Sequence, residues 1–303
     1  MMLIKKIVTL LLIGILFVSA KSDLMSELTD IVDQAESKKA EERKVLNYAF
    51  QQRMRTQWIA RDALLVSMGF NPEFYQQEML KNANLFDENL NKLLASKADI
   101  DKAKRDNKDF EQKIKDLNNT WVKFYDSVKK VSKNSKDKDG LKFIAEYNIR
   151  LLNDVAYIFT NFIQSYNSTD KLEASMAHIK SMLFTQVGKP RMYINKLVKE
   201  RLLIKQNINK KENQENLNNS IKSMDKLMKA LKDGDKELEL YGTEDRTILD
   251  KLAISQKIWE EVKLLVEKKE LTDKEWATLI KKNEEFIKQH TKVVKLTRGS
   301  NDN

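Results

Sequence analysis

Arg53-Met54-Arg55-Thr56-Gln57-Trp58-Ile59-Ala60-Arg61-Asp62-Ala63-Leu64-Leu65 is answered 138 residues further along the chain by Arg191-Met192, Leu197 and Leu202-Leu203. The Arg-Met pair recurs unchanged, and Ile59, Leu64 and Leu65 fall on the three leucines. Held without a gap, the same offset lays Met79, Ala83, Phe86, Leu90 and Leu93 on Leu217, Ile221, Met224, Met228 and Leu231. It also lays Phe110, Ile114, Phe124 and Val128 on Ile248, Leu252, Val262 and Val266, and Trp121 on Trp259. Apolar residues three and four positions apart line one face of an α-helix. A register kept through three such segments and the two connections between them predicts a duplicated helical unit.

Composition agrees with an all-α chain. Only 7 glycines and 2 prolines punctuate 303 residues, of which 41% are hydrophobic and 33% charged, leaving little turn chemistry for sheets or long loops. The first helix is predicted over about 23–68, ending at Gly69-Phe70-Asn71-Pro72, where glycine suits a C-cap and proline a new first turn. A second covers about 73–95 and a third about 99–131; 133–140 reads as the longest loop, and a fourth helix follows over 141–166. Ser168, Thr169 and Asp170 are N-cap residues for a fifth reaching about Asn209. A sixth runs to about Lys232, before the break Asp233-Gly234-Asp235. A seventh spans about 249–268, with an earlier start open, and an eighth opens at Leu271-Thr272-Asp273 and reaches about Lys295. The expected fold is two tandem up-down four-helix bundles with pseudo-twofold symmetry, 21–167 and 168–303. In that topology the fourth helix ends where the first began, so helices one and five lie parallel and bring Arg53 and Arg191 to one height.

Met1 to Lys6 with two lysines, the apolar run Ile7 to Val18 and Ser19-Ala20 have the form of a secretory signal peptide, residues 1–20, cleaved after Ala20. The run is short for a membrane span, which takes roughly 20 residues. The expectation is an exported, periplasmic protein. No cysteine is present, which removes disulfides, thiol nucleophiles and most structural zinc sites. The formal net charge of +10 comes from lysines interleaved with Asp and Glu, a solvated helical surface with a mild preference for anions; with export, no nucleic-acid partner is expected.

The segment Leu46-Asn47-Tyr48-Ala49-Phe50-Gln51-Gln52-Arg53-Met54-Arg55-Thr56-Gln57 resembles the motif that opens PilJ-type domains, the N-terminal periplasmic domain of type IV pilus methyl-accepting chemotaxis transducers. It is also similar to the P-box of nitrate and nitrite sensor kinases. Asn47, Ala49, Arg53, Met54 and Gln57 match that pattern, while Phe50 stands where it has glycine. The second copy keeps Gly188, Arg191 and Met192 and lacks the Asn and Gln. The resemblance implies a small planar anion, nitrate or nitrite, held between the two first helices, with Arg53, Arg191, Gly188, Asn47 and Phe50 at the site. It further implies a separate membrane sensor kinase or chemoreceptor as partner. A guanidinium fork suits a planar oxyanion, and two facing arginines repel unless an anion lies between them.

Plainer readings stand beside this one. Arg53 and Arg191 can be helix-face arginines in ion pairs. Trp58, Trp121, Trp259, Met54 and Met192 sit at core spacing. His178 and His290 have no partners at metal-ligand spacing, and neighbouring acids such as Glu284-Glu285 do not face one another on a helix. No catalytic constellation, metal site or cofactor is expected. An oxyanion sensor and a helical scaffold of the cell envelope are the function classes left, with a secreted enzyme disfavoured.

Overall fold

The computed structural model describes residues 51–95, 100–101, 107–166 and 171–297, without the side chains of 159, 160, 162–166 and 171–185. The expected signal segment, Asn47, Phe50, the N-cap residues Ser168 to Asp170 and the side chain of His178 lie outside the described residues.

The fold is all-α. Among the described residues eight long helices follow one another, with a further helical pair at 100–101: α1 (51–67), α2 (Pro72–Ala95), α3 (Phe110–Lys133), α4 (Lys138–Tyr166), α5 (Lys171–Lys205), α6 (Lys210–Asp233), α7 (Arg246–Val266) and α8 (Asp273–Thr297). Among the described residues the one bridge outside helices joins Asp235 to Leu240. The heptad-like spacing of α3 shows why these segments are helical: Phe110, Ile114, Leu117, Trp121, Phe124, Val128 and Val131 are all buried, four and three residues apart by turns.

Two boundaries differ from the sequence reading. The third helix does not run unbroken from about Asp99, because Asn107 precedes a turn at 108–109. The Asn107 side chain accepts from Asp109 N and donates to Tyr157 and Asn161 of α4, so a local Asx turn competes with the helix. The polar stretch 133–140 is not the longest loop. Asn134 accepts from Lys136 N through its side chain and from Asp137 N through its carbonyl, and this compact turn lets α4 begin at Lys138. The connection between α6 and α7 is longer and is closed by paired hydrogen bonds between Asp235 and Leu240.

The duplication is visible in hydrogen bonds as well as in buried residues. Trp121 Nε1 donates to Asp87 Oδ1 at 2.8 Å, and 138 residues on Trp259 Nε1 donates to Asp225 Oδ1 at 2.8 Å. The α1–α2 turn bonds Phe70 N to Leu65 O, and the α5–α6 turn bonds Ile208 N to Leu203 O, both at 3.0 Å, the long bond of a Schellman cap. Gly69 and Asn207 both take positive φ there, as do Asn71 and Asn209. The fourth helices also correspond, with an offset of 135 instead of 138. Leu141, Ile144, Asn148, Leu151 and Ile158 of α4 fall on Trp276, Leu279, Asn283, Phe286 and Val293 of α8, and all ten are buried. The second copy is three residues shorter between its third and fourth helices.

The described residues belong to one compact unit, and the two copies share a core: Leu64 and Leu65 pack in one cluster with Leu202, Leu203, Trp259 and Trp276. Helices α1 and α5 run parallel along the pseudo-twofold axis. Met54 and Met192 share a small cluster at one level, and more than three turns further on Gln206 Nε2 donates to Ser67 Oγ at 2.8 Å. The remaining helices pack as neighbours in sequence, α2 on α3, α3 on α4, α5 on α6 and α7 on α8, with α8 also against α5.

Candidate anion site and the polar seam above it

Arg53 and Arg191 occupy equivalent places beside the Met54–Met192 cluster, which also takes in Leu152, Trp58 and Tyr193. Their surroundings differ. Arg191 is buried and its Nη1 donates to Thr291 Oγ1 of α8 at 3.2 Å. The hydroxyl of Thr291 in turn donates to Ile287 O. At the corresponding position of the first copy, 135 residues earlier, the chain has Ala156, which has no hydroxyl to offer Arg53.

Arg53 is half-buried, and its Nε is enclosed without a hydrogen-bond partner. Burial lowers its pKa, with Tyr193 acting weakly the other way. Lys189 of α5, also half-buried, lies within electrostatic reach of Arg53. Burial lowers the Lys189 pKa first and the Arg53 guanidinium lowers it further. Among the described residues no carboxylate contributes to either shift. Two cations from parallel helices are thus close enough for one to shift the other. Trp58 Nε1, in the adjoining cluster, is another enclosed donor without a partner.

Gly188 is buried next to Lys189 inside α5, and Pro190 continues the same helix. Proline brings no N–H to the ladder and leaves the carbonyl four residues earlier, that of Gln186, without its usual donor. His290 of α8 meets this part of α5, its Nε2 lying 2.9 Å from Val187 O. The ring stacks on Phe286 with centroids 5.3 Å apart, and burial pushes its pKa down to about 3. It is therefore neutral, and donates to that carbonyl as the Nε2–H tautomer. Of the residues expected at the site, Arg53, Arg191 and Gly188 cluster at this level; Asn47 and Phe50 lie outside the described residues. Sequence reasoning overlooked Lys189, although it stands between Gly188 and Arg191.

It also overlooked the most unusual feature of the interior. Arg61, Asp62, Lys199 and Glu200 are all buried between the two copies. Arg61 Nη1 of the first copy reaches Asn195 Oδ1 of α5 at 2.6 Å and Asn283 Oδ1 of α8 at 2.7 Å, both in the second copy. Lys199 Nζ of the second copy reaches Gln57 Oε1 of α1 at 3.0 Å and Asn148 Oδ1 of α4 at 2.8 Å, both in the first. Each cation leans one turn back toward the N-terminus of its helix, as helical side chains do. Each ends on two amide oxygens of the other copy. Asp62 pairs with Arg61 at 2.6 Å through Oδ1, while Oδ2 makes no hydrogen bond. Glu200 has Lys196 Nζ at 3.5 Å.

The 138-residue offset would have found this seam had it been applied to charged positions. Arg61 falls on Lys199 and Asp62 on Glu200, within a stripe of otherwise apolar matches. Among the described residues no group of three or more His, Asp or Glu could hold a metal ion, and no helix is long and apolar enough to cross a membrane. Comparison with protein-family profiles, with curated proteins and with solved structures gives no match for this chain.

Proposed function

We propose that this chain is a periplasmic sensor module that binds a small oxyanion between α1 and α5, with nitrate and nitrite as the ligands to try first. It reports to a separate membrane kinase or chemoreceptor. What carries the reading is the pair Arg53 and Lys189, two half-buried cations on parallel helices whose pKa shifts include no contribution from a carboxylate among the described residues. Bringing such groups together costs free energy that an anion between them would offset, and hydrogen bonds to a charged group are among the stronger ones, about 1.5–3 kcal/mol. Arg53 is the contacting arginine here. Arg191, tied to Thr291, holds the second wall and adds positive potential. The resemblance of 46–57 to the P-box points to the same helix and the same arginine.

Isothermal titration calorimetry with nitrate, nitrite and chloride on the purified protein tests this. Arg53→Ala and Lys189→Ala should each weaken binding by at least about tenfold, since a lost charged hydrogen bond of that size shifts Kd by one to two decades. Arg53→Lys should recover only part, because an ammonium lacks the planar fork. Thr291→Val should change affinity less than either. If millimolar nitrate and nitrite give no heat and no rise in melting temperature, the scaffold reading takes the place of this one.

A further inference from the structure

The outermost ridge of α8 is a row of lysines. Lys274, Lys281, Lys288 and Lys292 are all exposed, and the first three are spaced seven residues apart. Seven residues fall only about 20° short of two helical turns. The row therefore keeps to one line for about 27 Å from Lys274 to Lys292, at about 1.5 Å per residue. The buried side of the same helix, with Trp276, Leu279, Asn283, Phe286 and His290, lies opposite. Carboxylates of α8 that could neutralise the row are engaged to either side of it: Glu275 with Lys268, Glu284 with Tyr75, and Glu285 with Lys282. We propose that this row is the face by which the protein rests on the anionic headgroups of a phospholipid bilayer. The proposal does not depend on any anion at Arg53.

Exposed lysines on a lysine-rich chain are ordinarily no more than a solvated surface, and the duplication supplies the comparison that separates the two readings. A row produced by the fold or by overall composition would recur on the fourth helix of the first copy. The offset of 135 instead places Asp139, Glu146, Asn153 and Tyr157 of α4 at the four matching positions. Four lysines give +4 in the second copy, where one Asp and one Glu give −2 in the first. The inward positions of the same two helices have not diverged in this way: Asn148 matches Asn283, Ile144 matches Leu279, and all four are buried. The inner face of the fourth helix is kept while its outer face has reversed sign. Since α4 and α8 are related by the pseudo-twofold axis, a negatively charged plane would draw the molecule down on its α8 side.

The chemistry of the row favours lipid over protein. Protein interfaces are poor in lysine and rich in Tyr, Trp, Met and Arg. Among the described residues the large exposed apolar side chains, Phe74, Val122, Tyr241, Ile254 and Leu264, all lie on other elements. Helix α8 thus offers no aromatic or aliphatic anchor for a pocket on a protein, and no apolar stripe to sink among acyl chains. It offers compact, strongly hydrated ammonium groups about 10 Å apart, which need no fixed partner geometry. A fluid plane of phosphate-bearing headgroups suits them, and each lysine near such a plane raises partition about fivefold.

Co-sedimentation of the purified protein with vesicles of phosphatidylcholine containing about 30% phosphatidylglycerol, and with vesicles of phosphatidylcholine alone, tests this. Wild type should prefer the anionic vesicles at about 50 mM salt and lose that preference near 1 M, where charges are screened within about 3 Å. Replacing Lys274, Lys281, Lys288 and Lys292 together by Gln should lower partition at least about a hundredfold. Replacing Lys123, Lys222, Lys229 and Lys257 by Gln removes the same charge from exposed positions of α3, α6 and α7 and should lower it by less than about tenfold. Equal losses in the two variants would overturn the proposal, because net charge alone would then account for binding. A wild type that binds both vesicle types equally would overturn it too, as would one that ignores anionic vesicles, which would leave an acidic protein as the occupant. If the α8 variant fails to fold, acetylation of wild-type lysines with and without anionic vesicles, read by mass spectrometry, takes its place. Protection of Lys281 and Lys288 relative to Lys222 and Lys229 supports the proposal, and uniform labelling overturns it.

Discussion

The tether between Trp259 and Asp225, repeated between Trp121 and Asp87, allows the duplication to be weighed in energy. Trp259→Phe removes the indole N–H that donates to Asp225 Oδ1 at 2.8 Å and part of a ring that is fully buried. The lost hydrogen bond to a charged acceptor is worth about 1.5–3 kcal/mol. The vacated space, on the order of 40 Å³, adds about 1 kcal/mol at roughly 24 cal/mol per Å³. The single variant should thus lose about 2.5–4 kcal/mol in urea unfolding, measured with the slope m unchanged. A double-mutant cycle of Trp259→Phe with Asp225→Ala isolates the pair term, which should be about 1.5–3 kcal/mol. The same cycle on Trp121 and Asp87 should agree within about 1 kcal/mol, because the geometry is the same. Residual differences should follow the other partners: Asp225 keeps Lys263 at 2.7 Å, and Trp121 keeps Phe86 with ring centroids 4.0 Å apart. Coupling below about 0.5 kcal/mol in both copies would show that the recurring geometry carries no energy, and this reasoning would fail.

Gly242→Ala should cost about 2–4 kcal/mol and Gly69→Ala about 1 kcal/mol in the same assay, since both sit at φ +75° but only at Gly242 would a Cβ meet backbone, Lys232 O at 2.7 Å. His290→Phe should flatten the acid arm of stability: the folded pKa near 3 lies below the unfolded 6.5, so the wild type loses up to about 1.4 kcal/mol per pH unit as pH falls through that interval, and the variant should not. Asp245→Ala should cost about 1 kcal/mol, because the Asp245 carboxylate caps α7 by accepting from Thr247 N at 2.8 Å and Ile248 N at 3.2 Å.

What was legible in the sequence was whatever apolar periodicity encodes. The heptad spacing of Phe110 to Val131 marks α3, and the fixed offset of the Arg-Met and Trp pairs marks the duplication. Boundaries were lost where a polar side chain decides the backbone. Asn107 and Asn134 look alike in composition, yet each forms its own Asx turn, and the bonds from Asn107 to Tyr157 and Asn161 become known only once α4 is in place. The correspondence of the fourth helices was missed because a gap of three residues moves their offset to 135. The candidate site was half legible. The motif picks out Arg53, Arg191 and Gly188 as candidates, whereas Lys189 enters only because α1 and α5 are parallel and put it within electrostatic reach of Arg53. The seam was passed over because Arg61-Asp62 and Lys199-Glu200 look like ordinary surface pairs until their burial is known.

The two copies are alike in fold and unlike in chemistry, and the differences fall along one line. Where the second copy has Thr291 to receive Arg191 Nη1, the first has Ala156, whose side chain offers Arg53 no hydroxyl. Where the second copy presents Lys189, the first has Gln51, whose carbonyl oxygen is already taken by Arg55. His290 secures α5 through Val187, while Val155 at the matching place in α4 has no polar atom to offer α1. A symmetric pair would present the same group twice. This chain instead has one arginine tied to Thr291 and one that faces Ala156, and it is on this asymmetry that we propose a single anion bound off the axis, beside Arg53.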